Sequence, residues 1–103
     1  MKTPDIPGVC NGDVLRPVFA QNPAITKAVV FGSRAKGNHT ERSDVDIALF
    51  GDVDFLGVER IAGTLDDLPF IQKFDVVAYN LVGNATLREH IDRIGIAIYE
   101  RDT

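Results

Sequence analysis

Apolar and polar positions alternate along this chain in two different rhythms. The segment Lys27 to Phe31 (KAVVF) and the segment Val45 to Phe50 are short and almost uniformly apolar, which predicts buried strands. Ile71 to Tyr79 (IQKFDVVAY) reads as a third strand and Ile96 to Tyr99 as a short closing one. Between them the rhythm changes to helical. Val14, Leu15, Val18 and Phe19 share one face of a predicted helix that Asp13 opens and Pro23 closes. Pro17 falls near its start, where a missing N–H costs little. Phe55, Val58, Ile61, Ala62 and Leu65 form the apolar face of a second helix, capped by Asp52 or Asp54 and ended by Pro69. Asn84 caps a last helix with Leu87, Ile91 and Ile94 at i, i+4 and i+7, stopped by Gly95.

This order of elements predicts a small α/β (α+β) domain, helices packed on a central sheet. With 103 residues there is room for one core, placed at residues 13–103. Residues 1–12, rich in Pro and Gly, are expected to form a flexible lead with little to pack. Cys10 is the single cysteine, so neither a disulfide framework nor a thiolate metal site is expected. The start of the chain resembles no signal peptide and no apolar run approaches membrane-spanning length, so no membrane association and a cytoplasmic location are expected. The net charge of −4 argues against a long nucleic-acid footprint. Arg34, Lys36 and Arg42 make a small basic cluster better suited to the phosphates of a small ligand.

The chemistry concentrates between Val29 and Phe50. Asp44 and Asp46 are two residues apart beside or within an apolar strand, so their side chains share a face while Val45 and Ile47 turn the other way. Like charges this close repel unless a cation lies between them, and Mg²⁺ is the natural occupant because it binds one or two carboxylates together with substrate phosphates. A lone D-x-D has a plainer reading, a turn cap followed by a solvated edge-strand carboxylate. The preceding Gly32-Ser33 turn shifts the balance, because a tight turn into a short helix presents N–H groups to an anion. Arg34 is expected to add charge-assisted bonds to phosphate oxygens. Asp75, in the third strand, is expected to join the same surface if that strand neighbours the second; it would then ligate metal or deprotonate an attacking hydroxyl. The alternative is an exposed edge-strand residue sharing its face with Lys73. His39 and His90 are expected to be solvated, as are Arg88, Glu89, Asp92 and Arg93, and Tyr79 and Tyr99 are read as packing residues.

The composite pattern, Gly32-Ser33-Arg34-Ala35-Lys36-Gly37, five residues, then Ser43-Asp44-x-Asp46-Ile47, resembles the signature of the DNA-polymerase-β-like nucleotidyltransferases. Within them the chain looks most like the minimal nucleotidyltransferase (MNT) domains. Lys36 and Ile47 stand where arginine and leucine are common. The resemblance implies a mixed sheet, Mg²⁺, and ATP or another nucleoside triphosphate as substrate. It implies Asp44, Asp46 and Asp75 as catalytic metal ligands, with Gly32, Ser33, Arg34 and Ser43 at the nucleotide. It also implies a partner: MNT domains pair as a family with HEPN toxins, and no segment here looks suited to bind an acceptor. The expected function is an antitoxin that transfers AMP to a hydroxyl, a tyrosine, of a HEPN toxin. Two alternatives stay open, a non-catalytic antitoxin acting by contact and a stand-alone transferase acting on a small molecule.

Overall fold

In the computed structural model, which describes residues 4–101, four strands build the central sheet: β3 (Ile25–Phe31), β4 (Val45–Gly51), β5 (Phe74–Ala78) and β6 (Ile96–Glu100). Their order is β5-β4-β3-β6. β3 runs antiparallel to both β4 and β6, whereas β4 and β5 are parallel. The mixed sheet follows from connection length. The stretch between β3 and β4 holds only one helical turn, α2 (Ser33–Lys36), and returns as an antiparallel neighbour; the β4-to-β5 crossover contains a full helix, α3 (Phe55–Asp66), which a parallel pair requires.

The apolar positions divide cleanly between the two faces. Val30, Val45, Ile47, Leu49 and Ile98 pack with Leu15, Val18, Phe19, Ile61 and Leu65 into the main core. Leu15 ends a 3₁₀ turn (Gly12–Leu15) and the other helical residues come from α1 (Arg16–Ala20) and α3. Phe19 is fully buried, and a burial of that kind contributes about 1.5–3 kcal/mol. Val29, Phe31 and Ala48 face the other way, under Ile91 and Leu87 of α4 (Ala85–Ile94). Helix starts follow the expected capping chemistry. Asp54 accepts from the Gly57 N–H at 2.8 Å, and Asn84 accepts from Thr86 and Leu87 at 2.9 and 3.1 Å.

Two local departures have physical causes. The first helix is split into a 3₁₀ turn and a short α-helix, because Pro17 at the α1 start supplies no N–H and Asn11, rather than Asp13, accepts the capping bond. The Pro/Gly-rich lead carries an unforeseen two-stranded ladder, β1 (Asp5–Ile6) with β2 (Cys10–Asn11), whose Ile6 is 1% exposed and belongs to the main core. One apolar residue between prolines shows no periodicity to read. Residues 1–3 of the expected lead lie outside the described residues. Among those described, no helix is long and apolar enough to cross a membrane.

Candidate functional site

β4 brings the site together by alternation. Val45, Ile47 and Leu49 enter the main core, so Asp46 is forced to the face of Ala48 and Phe50. On β5 the same logic puts Phe74, Val76 and Ala78 inward and Asp75 outward. Asp46 and Asp75 are register partners across the parallel pair, so their carboxylates share one face. Asp44 stands exposed just before β4. Burial pushes the Asp46 carboxyl above the usual aspartate range, and the Asp75 and Asp44 carboxylates push it further; His90 pulls the other way. Asp44 and Asp75 therefore both act electrostatically on Asp46 at this end of the sheet.

Gly32 closes the other side. Across the sheet Phe31 is the register partner of Asp46, and Gly32 follows it with φ +75° and ψ −152°, a conformation essentially restricted to glycine. A Cβ there would lie 2.2 Å from Asp46 Oδ2, so the carboxylate rests directly against the turn. Ser33 begins the single turn of α2, which Gly37 ends in the left-handed region. The backbone N–H groups at the start of such a turn lack intrahelical acceptors.

Arg34 does something different from what its sequence position suggests. The side chain is 1% exposed and turned away from the site. Its guanidinium donates to the carbonyls of Pro7 (2.6 Å), Thr40 (3.1 Å), Glu41 (3.2 Å) and Ser43 (3.0 and 3.3 Å). With its donors occupied by backbone oxygens, Arg34 is a clamp on the loop before Asp44 and on the turn between β1 and β2, in place of the expected phosphate contact. Ser43 belongs to the same loop; its hydroxyl accepts from the Thr40 N–H at 2.9 Å. This bond closes the loop that leads into Asp44.

Both histidines also depart from expectation. His90, half-buried on α4, sets its ring edge-to-face against Phe31 with centroids 6.2 Å apart. The helical spacing that put Leu87 and Ile91 inward left His90 one position aside, on the flank overlooking Asp46. His39 Nδ1 is buried without a hydrogen-bond partner, with the ring's Nε2 close to Gly8. The tyrosines do pack: Tyr99 against Phe19 at 5.6 Å, and Tyr79 stacked on Phe50 at 4.2 Å with its hydroxyl donating to Asp92 at 2.8 Å. Arg93 and Glu89 form an exposed i,i+4 pair at 2.9 Å.

The donor set suits a hard divalent cation, because Asp46 and Asp44 offer carboxylate oxygens where burial and neighbouring carboxylates already disfavour the charge on Asp46. The fit is to a two-carboxylate arrangement. Among the described residues, no three His, Cys, Asp or Glu side chains are gathered as a ready metal-binding group, and the Asp75 carboxylate lies 4.0 Å from Lys73 Nζ on an edge strand.

A mixed sheet with a Gly-Ser turn leading off one strand and paired aspartates on its antiparallel neighbour defines a nucleotidyltransferase-type domain. The chain belongs to the Polymerase beta nucleotidyltransferase family, whose model matches residues 14–103. A toxin-antitoxin complex with AMP-PNP shares the fold with a TM-score of 0.74 at 20% identity, over 89% of this chain and 75% of that one. So does the structure of a tri-AMPylated Shewanella oneidensis HEPN toxin in complex with MNT antitoxin, with a TM-score of 0.60 at 17% identity, over 88% of this chain and 71% of that one. At these identities the likeness is one of fold. A curated relative, "Putative protein adenylyltransferase MJ0604" of Methanocaldococcus jannaschii, is 58% identical over 31 residues. That match spans 30% of this chain and 31% of the relative's length.

Proposed function

We propose that this protein transfers AMP from ATP to a tyrosine hydroxyl of a HEPN-type toxin and thereby neutralises it. The observation that carries the reading is the placement of Asp44, Asp46 and Asp75 at one end of the sheet, with Asp46 against the Gly32 turn. Family membership supports nucleotidyl transfer, and the fold neighbours supply the specific acceptor: a related assembly holds AMP-PNP and another pairs an MNT antitoxin with an AMPylated HEPN toxin.

In this reading Asp44 and Asp46 hold Mg²⁺, which neutralises phosphate charge when bound. The Gly32 and Ser33 N–H groups hold the triphosphate. Asp75 takes the proton from the incoming hydroxyl, whose oxygen bonds to the α-phosphorus as the bond to the β-phosphate oxygen breaks and pyrophosphate leaves. The register of Asp75 with Asp46 supports that role, and leaving Lys73 is a small motion for an exposed pair held at 4.0 Å.

The test is incubation of the protein with Mg²⁺, α-labelled ATP and the product of the neighbouring gene, tried as the HEPN-type partner, followed by intact-mass measurement of both chains. Addition of one or more AMP units to the HEPN chain, lost with Asp44→Asn plus Asp46→Asn, is the expected result. Full neutralisation by that double variant at equal concentration would show instead that contact alone silences the toxin.

A further inference from the structure

We infer that His90 contacts the triphosphate of the bound nucleotide, supplying the side-chain donor that Arg34 does not. This rests on the nucleotidyl-transfer reading above. A triphosphate seated on the Gly32 turn brings several anionic oxygens to a surface that already carries aspartates, and such oxygens are met by charge-assisted donors. Arg34 is withdrawn into its clamp, with its guanidinium bonded to the carbonyls of Pro7, Thr40, Glu41 and Ser43. Arg88 lines a hollow with Tyr79, Glu89 and Asp92, and Lys36, Arg42 and Lys73 are exposed side chains that no packing holds toward the turn.

His90 is held in place by packing. Its ring lies edge-to-face on Phe31, the residue immediately before Gly32 and the register partner of Asp46. α4 runs toward this end of the sheet: Gly95 follows the helix and Ile96 pairs with Val30. The imidazole is thus held against the residue that leads directly into the Gly32 turn, on the sheet face that also carries Asp46. Its influence on Asp46 agrees with that placement. Phe31, 7% exposed, packs against the ring from one side.

The test is direct binding of a non-hydrolysable ATP analogue in the presence of Mg²⁺, by calorimetry, to the intact protein and to His90→Leu and His90→Gln. Leucine keeps apolar packing against Phe31 but has no donor; glutamine keeps an N–H of similar reach. Losing a hydrogen bond to a charged group should weaken the analogue about tenfold in His90→Leu, with His90→Gln within about threefold of the parent. Equal affinity of His90→Leu and the parent would overturn the inference while leaving the transfer reading intact. An equal loss in both variants would also overturn it, since the ring's packing would then be what matters. Failure of the parent itself to bind the analogue would sink both readings.

Discussion

Asp46 and Asp75 face each other as register partners on neighbouring parallel strands, and the first of them is half-buried against the turn at Gly32. A designer seeking stability alone would place neither there. Burial and two like charges disfavour the ionised form of Asp46, so this position costs the folded state something that a bound cation would return.

The cost has a sign that pH reveals. The folded Asp46 carboxyl holds its proton to a higher pH than the unfolded one, which releases it near the ordinary aspartate value of about 3.9. As pH rises past that value the unfolded state ionises first, and stability falls until the folded carboxyl has ionised too. Asp46→Asn should therefore raise the thermal midpoint at neutral pH, and the advantage should vanish below the ordinary aspartate range. Thermal denaturation of both proteins across pH 3–8 in a chelating buffer checks this. A midpoint for Asp46→Asn at or below the parent's at pH 7 would contradict the picture.

Arg34 makes the opposite contribution. Its buried guanidinium answers carbonyl oxygens of Pro7, Thr40, Glu41 and Ser43 that would otherwise lose their partners. Arg34→Ala should destabilise the domain by about 3 kcal/mol, from unsatisfied carbonyls together with a cavity. Arg34→Lys should recover only part, because an ammonium cannot spread donors over the same fork. Urea denaturation at constant m-value measures both. Gly8→Ala offers an independent probe, since a Cβ there would lie 2.7 Å from the Arg34 guanidinium and press on the same clamp.

The contrast between Asp46 and Arg34 shows what was legible in the sequence. Alternation along β4 fixes which face each residue takes, so the turn of Asp46 away from Val45 and Ile47 follows from period two. Helix capping by Asp54 and Asn84 was legible for the same reason: a local side chain meets a local N–H. Arg34 was misread because its partners are backbone carbonyls as far away as Pro7, and no residue type announces a carbonyl. His90 was assigned to solvent by a helical wheel that separates apolar from polar positions but says nothing of what a flank overlooks. Gly95 was a sound stop signal with another cause. Its backbone is extended, not left-handed, and space decides it, because a Cβ would lie 2.3 Å from Val29 and 2.4 Å from the Ile91 carbonyl.

Cys10 should behave as a sluggish thiol. Burial pushes its pKa up, and the nearby Asp5 carboxylate adds to the rise, so the reactive thiolate is scarcer at neutral pH than in an unfolded chain. The pH midpoint for alkylation by iodoacetamide in the native protein should lie above that in urea, with a slower rate at pH 7.5. Coinciding midpoints would show that the β1–β2 ladder does not shelter the thiol.

Two glycines flank α2, and replacing each with alanine should separate backbone strain from damage to the site. Gly37 adopts φ +87° in open space, so Gly37→Ala carries only the left-handed penalty of about 1–2 kcal/mol. Gly32 adopts φ +75° with ψ −152°, and its added methyl would also strike Asp46 Oδ2 at 2.2 Å. Strain alone there costs about 1–3 kcal/mol, and relief of the clash must displace either the turn or the carboxylate. Gly32→Ala should therefore lose AMP transfer even at temperatures where it is folded, while Gly37→Ala, compared at an equal distance below its own thermal midpoint, should retain most of it. Label-transfer assays paired with thermal denaturation check the contrast. Equal transfer by the two variants would mean that Asp46 does not depend on the space Gly32 leaves for it.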